Sequence, residues 1–153
     1  MHVLVTGSSG YVASNLVPYL KKNASVFGID QSASKYTDLK ASIESPQLKK
    51  SLDPFGEDEV VIVNLAAARF DFGATAMDYY KLNVECHQIF TQTLNNLNIR
   101  KFIHVSSVAA LDGRNIPYSE KLNCDDAYRA TKFLQEVTIE KWCDEHNVPL
   151  TIL

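Results

Sequence analysis

Short apolar runs alternate along the chain with longer segments in which apolar residues recur every three or four positions. The runs that have the length of strands are residues 2–5, 25–30, 39–43, 60–65, 101–105 and 149–153. The segments with helical spacing are residues 11–20, 46–52, 75–97 and 127–146. Because strands that alternate with helices form parallel sheets with right-handed crossovers, this pattern predicts an α/β fold. Residues 109–126 lack such spacing and are predicted to form a long loop of the kind that covers a binding site.

A glycine turn joins the first apolar run to the first predicted helix. Gly7 lets the backbone reverse, Gly10 leaves room for a pyrophosphate, and the small Ala13 lets the helix pack closely on the strand. The N–H groups that open this helix would then face phosphate groups. The turn residues expected to contact a dinucleotide are Gly7, Ser9, Gly10, Tyr11 and Val12. Although such a turn also fits an ordinary loop, its position predicts a Rossmann-type, doubly wound parallel sheet.

The second apolar run ends in an acid that suits an adenosine ribose. Asp30 follows Gly10 by 20 residues, close to the spacing of the acid that accepts hydrogen bonds from the ribose hydroxyls of NAD. A carboxylate there would repel the 2′-phosphate of NADP, although Lys35 in the next loop keeps NADP open as an alternative. After the third run, Ile43 and Glu44 are expected near the adenine.

Small residues follow the fourth apolar run. Leu65, Ala66 and Ala67 lie just past its carboxyl end, where a flat cofactor would lie against the backbone. Arg69 carries a long basic side chain that is expected to reach the same cofactor. Ligands of open α/β sheets bind at the carboxyl ends of the strands. The residues predicted to meet at that edge are Gly7, Asp30, Ala66 and Ser107.

The last predicted helix carries a candidate pair for proton transfer. Tyr128 and Lys132 are four positions apart, so both project from one face of the helix. A nearby ammonium lowers the pKa of a phenol from about 10 toward the range useful to a general acid or base. Lys132 would also hold the nicotinamide ribose, and Ser107 would bond the substrate oxygen. Taken alone, the pair also fits a surface contact that arose by chance.

As an ordered set, these motifs resemble the short-chain dehydrogenase/reductase superfamily, in its extended branch of NAD-dependent epimerases and dehydratases. The matching residues are Thr6-Gly7-Ser8-Ser9-Gly10-Tyr11-Val12-Ala13, Asp30, Asn64-Leu65-Ala66-Ala67, Asn83, Val105-Ser106-Ser107, Tyr128-Arg129-Ala130-Thr131-Lys132 and Glu136. The resemblance implies that Tyr128 is the acid or base, that Lys132 activates it and that Ser107 binds the substrate oxygen. It also places Asn83 on the cofactor side and implies hydride transfer between substrate and nicotinamide. Ala13 and Asn64 depart from the family pattern.

The resemblance also bears on domain organisation and partners. Extended members continue well beyond this length, so residues 1–153 are expected to be a NAD(P)-binding domain without its C-terminal substrate domain, and the sheet to be incomplete on that side. The expected substrate is a nucleotide sugar or a related hydroxyl or carbonyl compound, and helices 75–97 and 127–146 are expected to form a homodimer. Two alternatives stay open: an NADPH-dependent ketone or aldehyde reductase, and a non-catalytic dinucleotide-binding module.

Composition narrows the choice of partners and compartment. The 153 residues are 46% hydrophobic and 22% charged, which is ordinary for one globular domain. The net charge of −3 gives no reason to expect nucleic acid or an anionic membrane as partner. Cys86, Cys124 and Cys143 are widely separated and have no metal-ligand spacing. We therefore expect a cytoplasmic protein with reduced thiols and no metal site.

Overall fold

One parallel sheet organises the chain. The computed structural model describes residues 1–68, 73–121 and 126–153, with the backbone alone at Tyr118. The strands are β1 (His2–Thr6), β2 (Ser25–Asp30), β3 (Leu39–Lys40), β4 (Glu59–Asn64), β5 (Asn98–His104) and β6 (Leu150–Ile152). They lie in the order β3-β2-β1-β4-β5-β6, and every pairing is parallel. The chain therefore proceeds outward in both directions from β1 and β4, whose boundary is the switch point where such sheets bind ligands.

Helices connect the strands. They are α1 (Tyr11–Leu20), α2 (Pro46–Leu52), α3 (Ala76–Tyr80), α4 (Cys86–Thr93), α5 (Ala109–Arg114) and α6 (Ala127–Glu145). Short 3-10 turns occupy Asp53–Phe55 and Tyr118–Glu120, and a π-helical segment, Lys81–Glu85, joins α3 to α4. Within the described ranges, none of these helices is long and apolar enough to cross a membrane.

Buried apolar clusters cover both faces of the sheet. The larger cluster includes Leu4, Ile62, Phe90, Phe102 and Trp142. The smaller cluster, on the α1 side, consists of Val3, Val5, Ala13, Val17 and Val63. Successive residues of β1 enter opposite clusters because side chains alternate along a strand. This arrangement confirms the predicted doubly wound sheet, and the complete burial of Ala13 agrees with its predicted close packing.

Three local predictions were wrong or incomplete. The third strand ends at Lys40, where its partner β2 also ends at Asp30; the Ala41 N–H makes the last bond of this pairing, to the Asp30 carbonyl. The helix predicted at 75–97 is interrupted by the π-helical segment and ends at Thr93. The loop predicted at 109–126 contains α5 and a 3-10 turn. Gly113 lies within α5 and permits close packing, since an added Cβ there would lie 2.1 Å from the Arg129 carbonyl oxygen.

The inward face of α6 also differs from the apolar stripe that its sequence predicts. The spacing of Ala130, Phe133, Leu134 and Val137 along the helix predicts an inner apolar stripe, but Val137 is 38% exposed. Polar residues of the same helix are buried instead, namely Thr131, Lys132 and Gln135. Buried polar groups need hydrogen-bond partners, so this face must be explained by what it contacts rather than by periodicity.

Candidate functional site

A cleft lies at the carboxyl ends of the central strands. Its volume is about 380 Å³. The predicted site residues that line it are Gly7, Gly10, Asp30, Ile43, Leu65, Ala66 and Ala67. Ser42 and His87, which the sequence did not single out, also line it. The structure thus brings together residues from five separate segments of the chain, at the switch point where the fold predicts a ligand.

The glycine turn forms one wall of the cleft in close contact with the residues that follow β4. Gly7 has a φ of 68°, and a Cβ there would lie 3.0 Å from the Ala66 nitrogen. Only glycine meets both conditions without strain. The Gly10 N–H donates to the Gly7 carbonyl at 3.0 Å, and Gly10 is then the N-cap of α1.

The N-terminus of α1 has no side-chain cap. By contrast, side-chain oxygens cap α2, α3 and α6, from Ser45, Thr75 and Asp126. The first N–H groups of a helix lack partners within the helix, and its positive dipole end favours an anion. Because this end adjoins the cleft through Gly10, a pyrophosphate would satisfy donors that the protein leaves uncapped.

Asp30 is held at the edge of the cleft by two backbone donors. The Ser9 N–H donates to Oδ2 at 3.0 Å, and the Ser32 N–H donates to Oδ1 at 2.8 Å. Each carboxylate oxygen keeps a further lone pair, as a ribose diol requires. Ser9 thus acts on this site through its backbone. Tyr11 and Val12 do not line the cleft, and the Tyr11 side chain is 87% exposed.

The far end of the cleft carries the residues predicted to lie near adenine. Ile43 is buried in the lining, and beside it the Ser42 hydroxyl is buried with no hydrogen-bond partner among the described residues. Glu44 lines an adjacent cavity of about 550 Å³ and accepts a hydrogen bond from the Cys86 thiol at 2.7 Å. Burial, and then the Glu44 carboxylate, raise the pKa of Cys86 to about 12, so the thiol stays protonated.

A buried hydrogen-bonded chain crosses the ends of β1, β4 and β5. The Thr6 hydroxyl oxygen accepts from the Leu65 and Ala66 N–H groups, at 3.2 and 3.1 Å, so its own proton points to Asn64 Oδ1 at 2.5 Å. Asn64 Nδ2 then donates to His104 Nδ1 at 3.0 Å. His104 is therefore neutral, with its proton on Nε2. This chain holds the backbone that forms the floor of the cleft.

Asn83 fixes the segment that follows β4. Its Oδ1 accepts the Ala68 N–H at 2.7 Å, while Nδ2 lies 3.3 Å from the Ala68 carbonyl and 3.2 Å from Thr131 Oγ1. Asn83 belongs to the π-helical segment and is fully buried. π-Helical turns often mark functional positions. Asn83 lies behind the cleft wall rather than in its lining.

The predicted catalytic residues occupy neighbouring elements. Ser107 follows β5, and its hydroxyl accepts the Ala109 N–H at 3.2 Å. Tyr128 is half-buried, with its ring edge-on to Tyr79 at a centroid distance of 6.0 Å. Lys132 is 1% exposed, which excludes a chance surface pair. Within the described ranges, no hydrogen bond joins the Tyr128 hydroxyl to Ser107 or Lys132.

The burial of Lys132 alters its chemistry. Burial lowers the pKa of its ammonium to about 8, and the carboxylate of Glu136 opposes that shift. Lys132 Nζ donates to Gln135 Oε1. The Ser106 hydroxyl donates a hydrogen bond to Glu136 Oε1 at an oxygen–oxygen distance of 2.5 Å, which links the segment after β5 to α6.

Some predictions fall beyond what the structure describes. Arg69 and Cys124 lie outside the described residues. Among those that are described, no group of three or more histidines, cysteines or carboxylates is close enough to hold a metal ion.

Comparison with known proteins identifies the family. The chain belongs to the NAD dependent epimerase/dehydratase family, whose model matches residues 3–153. This match confirms the resemblance drawn from the ordered motifs. Among curated proteins, none matches the sequence.

Solved structures share the fold at low identity. A short-chain dehydrogenase/reductase superfamily protein from Agrobacterium tumefaciens, with bound NAD, is 22% identical, with a TM-score of 0.79 over 99% of this chain and 48% of its own. UDP-glucuronic acid 4-epimerase from Bacillus cereus, in complex with NAD, is 23% identical, with a TM-score of 0.77 over 99% and 55%. UDP-glucose 4-epimerase from Thermotoga maritima, with UDP-glucose, is 20% identical, with a TM-score of 0.74 over 99% and 54%. The chain spans about half the length of these proteins.

The two buried histidines predict a pH dependence of stability. Burial, with a further contribution from the nearby Lys132 charge, lowers the pKa of His87 and of His104 from 6.5 to about 3. The unfolded chain therefore takes up protons below pH 6.5 that the folded chain accepts only near pH 3. As the pH is lowered from 6.5 toward 3, the free energy of unfolding should therefore fall by about 1.4 kcal/mol per pH unit for each histidine.

Urea titrations between pH 6.5 and 4.5 measure this slope. His104→Gln should remove the contribution of one histidine. Phe90→Leu, a core change that removes no titrating group, is the control and should keep the full slope. Equal slopes for the wild type and His104→Gln would contradict the account.

Proposed function

We propose that residues 1–153 bind NAD as the cofactor-binding part of an epimerase or dehydratase that acts on a nucleotide sugar. The observation that carries the proposal is the position of Asp30, whose carboxylate is oriented by two backbone donors at the edge of a cleft that adjoins the uncapped start of α1. One end of such a cleft suits a ribose diol and the other a pyrophosphate. Family membership and the NAD bound in two similar structures support this choice.

In this proposal, each segment that lines the cleft contacts a different part of the cofactor. The turn from Gly7 to Gly10 and the first amides of α1 bind the pyrophosphate. Asp30 binds the adenosine ribose. Ile43 packs on the adenine, with the Ser42 hydroxyl available for a polar contact. Ala66 and Ala67 leave space beside the backbone for the nicotinamide half.

The lining favours NAD over NADP. A 2′-phosphate would place negative charge against the Asp30 carboxylate. Lys35, the residue that would answer that charge, instead lies over the Tyr36 ring, with Nζ 4.9 Å from the ring centroid. The reductase alternative that depends on NADPH is therefore less well supported than the NAD-dependent enzyme.

The chemical step is assigned to the residues above the nicotinamide end. NAD, when bound, supplies the hydride acceptor. Tyr128 takes a proton from the substrate hydroxyl as that carbon is oxidised, and Ser107 holds the same oxygen. Lys132 favours the phenolate form of Tyr128 by its positive charge and binds the nicotinamide ribose. The buried site of Lys132 strengthens such electrostatic effects, since the local dielectric is low.

We also propose that the protein forms a homodimer through α4 and α6, in the regions predicted from residues 75–97 and 127–146. Exposed apolar side chains support it, namely Ile89 on α4, Val137 on α6 and Met77 on the preceding α3. Pairing two such faces would remove apolar surface from water.

Asp30→Ala tests the cofactor assignment. Loss of hydrogen bonds to a charged acceptor should raise the Kd for NAD roughly 10- to 100-fold. Isothermal titration of NAD and NADP into the wild type and the variant measures this change. Asp144→Ala, an exposed acid on α6, is the matched control and should bind as the wild type does. A wild-type preference for NADP, or unchanged NAD affinity in a folded Asp30→Ala variant, would refute the assignment.

Tyr128→Phe tests the chemical step in the full-length enzyme. Removal of the hydroxyl should lower kcat by roughly 10²- to 10⁴-fold, because general acid–base catalysis contributes that much, while NAD still binds. Steady-state turnover with the wild type and with Tyr19→Phe, an exposed tyrosine on α1, provides the comparison. Undiminished turnover would remove Tyr128 from the mechanism.

Sedimentation equilibrium tests the dimer. The wild type should sediment as a dimer at micromolar concentration, and Val137→Glu should shift it to the monomer, because a carboxylate would be buried without a partner. Tyr19→Glu, on the remote helix α1, should leave the dimer intact. A monomeric wild type would contradict the proposal.

A further inference from the structure

Gln135 joins Lys132 to the wall of the cleft. Its side chain is fully buried one turn beyond Lys132 on α6. Its amide oxygen accepts from Lys132 Nζ. Its amide nitrogen donates to the Ala66 carbonyl at 3.1 Å and contacts His87 Nε2 at 2.8 Å. One side chain thus contacts the proposed activating lysine, the cleft backbone and a histidine of α4.

The orientation of this amide follows from its partners. An ammonium can only donate a hydrogen bond, and a carbonyl oxygen can only accept one. Oε1 must therefore face Lys132, and Nε2 must face Ala66, since a rotated amide would oppose like groups at both ends. The second Nε2 proton then points to His87, so that ring nitrogen must be an acceptor. A neutral His87 fits its burial, which lowers its pKa to about 3.

Lys132 has few other groups to stabilise its charge. The titratable groups that act on it are Glu136 on the same helix, His87 on α4 and His104 on β5. Both histidines are neutral near pH 7, which leaves Glu136 as the opposing charge among the described residues. A buried ammonium is costly without good hydrogen-bond acceptors. The side-chain carbonyl of Gln135 therefore stabilises the charged form of Lys132 by accepting its hydrogen bond.

We propose that Gln135 is a positioning residue for Lys132, holding the ammonium through Oε1 while His87 and the Ala66 carbonyl lock the amide in orientation. The inference deepens the proposed function, in which Lys132 activates Tyr128 and binds the nicotinamide ribose. Because Ala66 also lines the cleft, the same amide sets the position of the ammonium relative to the cofactor wall. His87 contributes by accepting a hydrogen bond from Gln135 Nε2, which it can do only in its neutral form.

The pKa of Lys132 in the chain without cofactor tests this role directly. Lysine labelled with ¹³C at Cε lets NMR follow the titration of Lys132, whose signal is the one missing from the spectrum of Lys132→Arg. Gln135→Leu removes the acceptor at similar volume, so the pKa should fall from about 8 by roughly 1, as loss of a charge-assisted hydrogen bond implies. Gln135→Glu supplies a carboxylate at the same place and should raise the pKa above that of the wild type.

Two comparisons separate positioning from general stability. Gln88→Leu, an exposed glutamine on α4, is the control and should leave the Lys132 titration unchanged. His87→Leu keeps the acceptor but removes the group that orients it, and should shift the pKa in the direction of Gln135→Leu by a smaller amount. Urea unfolding of each variant reports whether the fold is intact.

An unchanged Lys132 pKa in folded Gln135→Leu would overturn the proposal. If that variant does not fold, a pKa in Gln135→Glu equal to or below the wild-type value would overturn it equally. Because the titration needs no cofactor, this result is independent of whether the cleft binds NAD. If the chain does not bind NAD but the variants shift the Lys132 pKa as predicted, the proposed function is refuted and the positioning role of Gln135 remains.

Discussion

The close contact between the β1–α1 turn and the backbone after β4 is the constraint on which the site depends. Gly7 has a positive φ, and a Cβ at this position would lie 3.0 Å from the Ala66 nitrogen. The preceding residue, Thr6, accepts two N–H groups from Leu65 and Ala66. These contacts therefore fix the position of the turn relative to the segment after β4.

That contact extends in two directions through buried polar groups. Toward β5, Thr6 orients Asn64, and Asn64 orients His104. Toward α6, the Ala66 carbonyl accepts from Gln135, which accepts from Lys132. The glycine turn that lines the cleft and the buried Lys132 ammonium are thus parts of one hydrogen-bonded structure. Buried polar side chains are costly without partners, and on the inner face of α6 Lys132 is bonded to Gln135 and Gln135 to the Ala66 carbonyl.

The sequence predicted those parts of the fold whose cause is local. The periodicity of apolar residues predicted the positions of the six strands. The distance along the chain from the glycine turn to Asp30 is that of one βαβ unit. The structure brings Asp30 and the turn together as expected, with Ser9 donating to the carboxylate. Ser45 and Pro46 start α2 as helix-capping rules suggest.

The parts that could not be predicted depend on contacts between distant segments. Gln135 is 69 residues from Ala66 and 48 from His87, so no local pattern marks it. α5 contains Gly113, which packs closely on α6, although glycine is unfavourable within a helix. Ser42 looks like an ordinary loop residue until its buried hydroxyl is seen without a partner among the described residues. The spacing of hydrophobic residues cannot predict such positions, because their burial depends on contacts with distant segments.

Mapping NAD onto the chain by NMR tests the central claim, that the cleft at the β1–β4 switch point is the cofactor site. Backbone amide shifts of the ¹⁵N-labelled chain, recorded during titration with NAD, show which residues contact it. The account predicts that the largest changes fall on the turn from Gly7 through the first amides of α1, on the residues around Asp30 and on the Ala66 segment. Saturable changes confined to other surfaces, or no changes at millimolar NAD, would contradict it.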